Sequence, residues 1–449
     1  MMSLRSSPGD SKRTGSVTAS TAIAAEDAVY RKVTARLIPF LFCCYVMAHV
    51  DRNNIGYAVL QMKSDLGFTD ATYGLAAGIF FVGYVLFEIP SNLMLMRVGA
   101  RRTLSAIMLA WGLVSITTLF TQTPAQFLIM RFLLGVFEAG FFPGVVLFLT
   151  WWYPSRRRAQ IVAIFMTAIV VAGVVAGPSS GLLLTSMDGM LGLRGWRWMF
   201  LLEGFPSIAL AGLGLHFLRD SPRDAEWLSP GERWQITADL HAEPRPDDES
   251  THAGALLELV RSPSVYILSL IFFLNLYAVY TLSFWQPTLI GTLGAPGPLA
   301  VGLLAVIPYS VAIAAMLWVG RSSDRLGERR WHFLVPMIIG SLGVIFTVIW
   351  RLHPVLAITA LTFGTAGIFS SIPVFWAVPA ELLPADAAAV GFALINSVGA
   401  CAGAVAPYVM GLIKTSTGSM AFGLYAVSGC LLLGAILMVI SVPRSHAHP

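Results

Sequence analysis

The chain has 449 residues, 56% of them apolar and 12% charged, with a formal net charge of +5 and a mean hydropathy of +0.73. A soluble protein of this length needs a far more charged surface, so lipid is the solvent for most of the chain. The apolar runs are too long and too uniform to be the alternating strands of a barrel, which leaves membrane-spanning helices.

Residues 1–32 are rich in Ser, Thr and Ala, carry Lys12 and Arg13, and have no apolar core. They are not a cleavable leader, and a disordered cytoplasmic tail is expected there. Six spans then follow at about 35–60, 72–96, 103–121, 125–150, 159–184 and 196–218, an amino-terminal bundle over 33–218. The stretch 219–262 is the most polar of the chain, with Asp220, Arg223, Asp224, Glu226, Glu232, Arg233 and the run Asp247-Asp248-Glu249. It is expected as a solvated linker holding at most a short surface helix. Six more spans follow at about 264–290, 298–319, 332–351, 355–380, 386–413 and 419–441, a carboxy-terminal bundle over 263–441, with a tail over 442–449. The fold class is therefore all-α, twelve transmembrane helices in two six-helix bundles.

Loop arginines and lysines orient the chain. Arg97, Arg101, Arg102, Arg156, Arg157, Arg158, Arg321, Arg325, Arg329 and Arg330 fall on one side, ten in all. Lys63, Arg194, Arg197, Arg351 and Lys414 fall on the other, five in all. The richer side is expected to be cytoplasmic, and both termini with it. Basic residues placed at helix ends serve topology, so the net charge does not imply nucleic acid. Cys43, Cys44, Cys401 and Cys430 lie inside apolar runs without metal spacing.

The two bundles repeat one another. Arg97-Val-Gly99-Ala-Arg101-Arg102 recurs as Arg325-Leu-Gly327-Glu-Arg329-Arg330, an offset of 325 − 97 = 228. Pro143 matches Pro373 and Pro154 matches Pro384 at an offset of 230, and Gly135 matches Gly364 at 229. Landmarks in register over so long a stretch indicate a duplicated six-helix unit. Parallel repeats place a site at their interface and suit alternating access by rocking. The segment Gly320-Arg-Ser-Ser-Asp324-Arg325-Leu-Gly327-Glu-Arg329-Arg330 resembles the signature loop of the major facilitator superfamily. In the first copy Asn92 and Met94-Leu95-Met96 stand where that family's acid would be. Asp324 is expected to bond a helix N-terminus or an arginine and so latch the two halves; the alternative is that these arginines serve topology alone.

Ionisable groups inside a span are costly and mark function. Asp51 and Arg52 lie in the first span, Glu88 in the second, Arg131 and Glu138 in the fourth, and Glu203 nearer an end of the sixth. The second half lacks counterparts: the partner of Glu138 is Ile368, and the partners of Asp51 and Arg52 fall in Val279-Tyr280-Thr281. Scaffold charges should recur in both copies, so one-sided charges point to ion coupling or substrate binding. Arg131 and Glu138 are seven apart and share a helix face, with Gly135 between them opening room. Tyr45 and Arg52 share a face likewise, while Asp51 points about 100° away. An arginine offers a charged fork for a carboxylate, and a carboxylic acid removed from water picks up a proton closer to neutral pH. Two acids beside two arginines are the minimum for coupling an anion to a proton. The competing explanation is a pair of internal salt bridges between the first and fourth spans. Glu88 before Pro90, and Glu203 before Gly204 and Pro206, are expected to cap backbone freed by the prolines.

Asp51-Arg52-Asn53-Asn54-Ile55-Gly56-Tyr57-Ala58 resembles the first-helix signature of the anion:cation symporter family within that superfamily. Gly83-Tyr84-Val-Leu-Phe-Glu88-Ile-Pro90-Ser91-Asn92, Arg131-Phe-Leu-Leu-Gly135-Val-Phe-Glu138-Ala-Gly140 with Pro143-Gly144, Trp151-Trp152-Tyr153-Pro154 and Gly195-Trp196-Arg197-Trp198 are similar to its other motifs. The resemblance covers residues 33–441. It implies transport of tartrate, sugar acids such as galactonate and glucarate, phthalate or hydroxyphenylacetate, driven by the proton gradient without a cofactor. It makes Asp51 and Glu138 the proton-coupling acids and Arg52 the holder of the substrate carboxylate, with Arg131 and Tyr45 beside it. Tyr84, Gln286, Ser370, Ser371, Trp376 and Asn396 become cavity-lining residues; equally, such groups glue helices together. Arg97, Arg101, Arg102, Asp324, Arg325, Arg329 and Arg330 become the gating loops. His49 is a titratable group or a packed, hydrogen-bonded one.

The expectation is a proton-coupled importer of a small organic carboxylate in a bacterial inner membrane, a monomer whose partners are anion, proton and lipid. The alternative is a proton-coupled efflux antiporter of amphipathic compounds. Gly173-x-x-x-Gly177-Pro178-x-x-Gly181 resembles the antiporter glycine-proline motif, although close helix packing accounts for it as well. A ligand-sensing receptor would carry a signalling domain, for which the linker is too short. No phosphate-binding glycine loop, nucleophile elbow or metal cluster appears, so an enzyme is not expected.

Overall fold

The computed structural model describes residues 10–242, 262–383 and 388–441. Twelve helices in it are long and apolar enough to cross a bilayer. They are α1 (Asp27–Asp65), α2 (Asp70–Val98), α3 (Ala100–Phe120), α4 (Pro124–Thr150), α5 (Ser155–Ser186), α6 (Gly195–Phe217), α7 (Pro263–Thr292), α8 (Pro298–Leu326), α9 (Arg330–Ile349), α10 (Pro354–Leu382), α11 (Gly391–Thr417) and α12 (Ala421–Ser441). Local chemistry sets many of the ends. Thr69 caps α2 by accepting from Thr72 N at 3.0 Å, and Thr123 caps α4 with Pro124 in the first turn. Gly99 and Gly327, one in each copy of the repeat, end α2 and α8 at φ +96° and +60°, a region that favours glycine.

The helix of α1 extends back to Asp10 without interruption, so the expected disordered tail is helical over 10–32. Within this helix no proline comes before Pro39, and extending a nucleated helix through Ala-rich sequence costs little. The extension is anchored: Tyr30 Oη donates to Asp239 Oδ2 at 2.9 Å, and Lys32 Nζ lies 2.8 Å from Glu232. Both acids belong to the short linker helix Pro230–His241, which begins with a Ser229/Glu232 capping box. The Lys32 ammonium and the Ser229 backbone hold the Glu232 carboxyl below the usual carboxylate range. Trp227 stacks on Trp152, in the turn after α4, at 5.8 Å. The linker is therefore docked on the amino-terminal half. The acidic run Asp247-Asp248-Glu249, Pro384 of the repeat and the tail 442–449 lie outside the described residues.

The halves meet along α2 against α11 and α5 against α8. The crossings are built on small residues. A Cβ on Gly74 would meet the backbone of Pro407 and Tyr408, one on Gly78 the backbone of Ala404, and one on Gly177 the carbonyl of Gly302. These contacts lie toward the arginine-poor face. Polar contacts join the halves there too: Ala71 N donates to Thr415 Oγ1 at 2.9 Å, Tyr73 Oη bonds Phe284 O, and Lys414 Nζ is 3.2 Å from Asp70. The molecule is thus closed at its arginine-poor end.

Candidate functional site

α1 and α4 are both interrupted at the depth of their charges. In α1 the helical ladder breaks at Asn54, and in α4 it breaks at Ala139–Gly140. Arg52 is therefore in the last turn of one half-helix and Glu138 at the end of another. Interrupted spans are tolerated where they serve an internal site.

Arg52 Nε donates to Glu138 Oε1 at 3.0 Å, and Arg52 Nη2 donates to the same oxygen. Glu138 Oε2 is buried with no partner. The guanidinium also sits over the rings of Phe80, Phe81 and Tyr84, at 5.0, 5.9 and 5.3 Å from their centroids. Arg131 is fully enclosed. Its Nη2 donates to the carbonyl of Arg52 at 3.0 Å and its Nε to the carbonyl of Ala76 at 3.3 Å. It ties α4 to α1 and α2 and satisfies a carbonyl at the break in α1. Gly135 permits this, because any side chain there would strike the backbone of Phe80 and Tyr84 on α2. Asp51 turns the other way, as helix geometry requires. It accepts from Ser115 of α3 at 3.0 Å and from Ser207 of α6 at 2.6 Å.

A cavity of about 120 Å³ lies between the halves in front of Arg52. Its amino-terminal wall carries Tyr45, His49, Arg52, Asn53 and Tyr84, and its carboxy-terminal wall Tyr280, Ser283, Tyr309, Trp376 and Asn396. Phe81, Phe142 and Phe272 fill the space between these polar groups. The lining holds a cation and no carboxylate; Glu138 stands behind Arg52, out of the wall. His49 Nδ1 is 3.1 Å from Tyr45 O and its ring packs edge-on to Tyr45 at 4.4 Å, the packed alternative.

The structure brings Arg52, Tyr45, Tyr84, Trp376 and Asn396 to this cavity and Glu138 directly behind it. It does not bring Arg131, Gln286, Ser370, Ser371 or Asp51 to the wall. Arg131 is taken up by backbone carbonyls. Gln286 is buried in α7 with both amide atoms unpartnered. Ser370 and Ser371 donate to the carbonyls of Gly367 and Ile368, and Ser371 also accepts from Asn275 at 2.6 Å. Glu203 does not cap its own helix; it accepts from Ser179 and Ser180 of α5 at 3.0 and 2.8 Å. Tyr280, noted above only as an uncharged counterpart of Arg52, and Tyr309, the counterpart of Phe81 at the same offset of 228, are cavity residues that the sequence reading did not assign.

In the loops, Arg329 is 2.6 Å from Asp324 and 2.9 Å from Glu381. Asp324 thus pairs with an arginine, and in this state, closed at the arginine-poor end, the network ties α8 to α10 within one half and does not bridge the halves. In the first copy the missing acid is supplied from outside the motif: Asp220 Oδ1 accepts from Arg101 N at 2.8 Å, and Arg101 Nε donates to Leu215 O at 2.6 Å. Arg97 and Arg102 flank that turn at the ends of α2 and α3, and Arg325 and Arg330 flank its counterpart.

Two helical bundles of six spans, closed over a shared internal cavity, define a membrane transporter. The Major Facilitator Superfamily profile matches residues 41–407, and the chain belongs to that family. It is 44% identical over 412 residues to NicT of Pseudomonas putida, named as a metabolite transport protein, covering 92% of this chain and 94% of NicT. An Agrobacterium vitis protein named for tartrate transport is 42% identical over 415 residues (92% and 95% covered). An Acinetobacter baumannii protein named for quinolone resistance is 41% identical over the same length (92% and 95%). Among solved structures, a D-xylose–proton symporter superposes with a TM-score of 0.73 at 15% identity, covering 92% of this chain and 99% of the other, a likeness of fold. The chain is a multi-pass membrane transporter and not an enzyme.

Proposed function

We propose that the chain is a proton-coupled symporter that takes up a small organic carboxylate, in a bacterial inner membrane with its arginine-rich face and both termini cytoplasmic. One observation carries this: Arg52 stands on the cavity wall, and its one carboxylate partner among the described residues, Glu138, is buried behind it with one oxygen unpartnered. Arg52 is therefore shared. While Glu138 is ionised it competes with any ligand for the guanidinium. A proton on Glu138 ends that competition and frees the fork for a substrate carboxylate. Anion and proton then bind together, and the halves rock around them. Tyr45 and Tyr84 beside Arg52, with Tyr280, Tyr309 and Asn396 opposite, supply hydroxyl and amide contacts for the body of the ligand. The relative named for tartrate transport agrees with this chemistry.

In this scheme Glu138 takes the coupled proton. Asp51 holds α3 and α6 through its two serines and so fixes the rotation of α1 that presents Arg52. The Asp324–Arg329–Glu381 network and the Asp220–Arg101 cap stiffen the cytoplasmic loops on which the halves pivot.

The test is uptake of labelled tartrate, galactonate and phthalate into proteoliposomes with an imposed proton gradient. At least one is expected to accumulate and to stop accumulating when a protonophore is added. Accumulation indifferent to the protonophore rejects the proposal. Efflux of amphipathic compounds is the second candidate, favoured by the aromatic filling of the cavity and the relative named for quinolone resistance. It requires that expressing the gene raise drug tolerance in a susceptibility panel.

A further inference from the structure

A second opening lies on the arginine-poor face, at the seam between the halves and apart from the cavity of Arg52. It is a vestibule of about 410 Å³ lined by Lys63, Asp70, Lys414, Thr288 and Thr292. Asp70, the first residue of α2, is held from both sides: Lys63 of its own half is 2.8 Å away, and Lys414 of the other half 3.2 Å away. Lys414 also sits 5.3 Å over the ring of Trp285. Two ammonium groups thus serve one carboxylate, which leaves the vestibule one positive charge in excess. The Lys63 side chain is 47% exposed and that of Lys414 14%, so Lys63 is the one that faces outward.

We propose that this vestibule is an outer docking site for carboxylate anions, and that an anion seated there releases the ion pair holding the halves shut. The placement supplies both parts. A carboxylate arriving from outside meets Lys63 first, the more exposed of the two lysines and already oriented toward an anion. Whatever fraction of the two ammonium charges it takes is withdrawn from Asp70. The Asp70–Lys414 pair crosses from one half to the other, beside the Ala71–Thr415 hydrogen bond. Partly exposed ion pairs are weak individually, so a competing carboxylate suffices to displace one. A ligand shifts the equilibrium only if it prefers the open state. Here that preference follows from geometry: in the closed state Asp70 already occupies the lysines. That the docked anion goes on to the inner cavity rests on the uptake function proposed above; the docking and release do not.

The test uses spin labels on Ser64→Cys and Ser416→Cys, at the arginine-poor ends of α1 and α11, with Cys43, Cys44, Cys401 and Cys430 replaced. Their separation is measured by pulsed electron resonance at constant ionic strength, because salt screens such pairs. Succinate is the probe and succinamide its uncharged control. Succinate is expected to populate a longer distance and succinamide to leave it unchanged. Lys63→Gln should raise the half-saturating succinate concentration by about tenfold or more. Asp70→Asn should populate the long distance with no ligand present. Arg52→Ala should keep the succinate response, which separates this site from the inner cavity and its failure from failure of the symport mechanism. The proposal is overturned if succinamide acts like succinate, if Lys63→Gln responds like the unaltered protein, if Asp70→Asn stays closed, or if Arg52→Ala abolishes the response.

Discussion

Glu138→Gln removes the charge behind the cavity and keeps its shape. Arg52 Nε stands 3.0 Å from Glu138 Oε1, and Nη2 reaches the same oxygen. A hydrogen bond to a charged group contributes about 1.5–3 kcal/mol, and each 1.4 kcal/mol is about tenfold in affinity. With the competing carboxylate gone, a substrate carboxylate should bind about 10–100-fold more tightly wherever Glu138 is normally ionised. The empty variant should be less stable, because an uncompensated buried charge costs about 3–5 kcal/mol. Ring contacts with Phe80, Phe81 and Tyr84 soften that cost. The assay is calorimetric titration of the purified protein with its transported acid at pH 6 and pH 8, alongside thermal melting. The unaltered protein should bind more weakly at the higher pH, because loss of the Glu138 proton returns Arg52 to that carboxylate. The variant should bind equally at both values, and ligand should raise its melting temperature further than it raises that of the unaltered protein. An unchanged pH dependence in Glu138→Gln, or weaker binding than normal at pH 8, refutes the sharing of Arg52.

Arg52→Lys keeps the charge and loses the two-pronged donor, so uptake efficiency should drop by about a hundredfold while the protein still folds; uptake kinetics with a melting curve check both. Asp51→Asn should cost about 1–3 kcal/mol of stability by disturbing the bonds from Ser115 and Ser207 and slow uptake without uncoupling it. Exchange preserved with accumulation lost in that variant would instead make Asp51 a proton site. Gly302→Ala places a methyl against the carbonyl of Gly177 at the seam of the halves. It should raise thiol-reagent labelling of Ser64→Cys at the arginine-poor face, and unchanged labelling counts against that seam as the closure.

The span count was legible because hydropathy and span length are properties of composition, and the duplication because its landmarks are glycines and prolines with backbone duties. Gly99 and Gly327 both adopt positive φ. Arg52 and Glu138 stand out individually because charges in lipid are rare; which arginine Glu138 takes does not follow from spacing, and Asp51 takes none. The direction of Asp51 followed from helix rotation, but its serine partners did not, since Ser115 and Ser207 resemble any small packing residue. Arg131 was misplaced on the cavity wall because its acceptors are backbone carbonyls, which leave no trace in side-chain identity. Ser370 and Ser371 take the packing alternative, because a hydroxyl on a helix satisfies itself on its own backbone as readily as it faces a ligand. The repeat does lead from Arg52 to Tyr280, read there only as the lack of a charge, and the same offset carries Phe81 to Tyr309. The docking of Tyr30 and Lys32 on a linker helix two hundred residues away is a contact that no local pattern announces.

The most direct test follows the proton itself. Proteoliposomes loaded with a pH-sensitive dye, with no imposed pH gradient, are given an inward gradient of the transported carboxylate under a clamped membrane potential. Entry of the anion should acidify the lumen in the unaltered protein and leave it unchanged with Glu138→Gln, although labelled anion still exchanges. Anion entry at full rate with no lumenal acidification would show that the cargo moves without the proton.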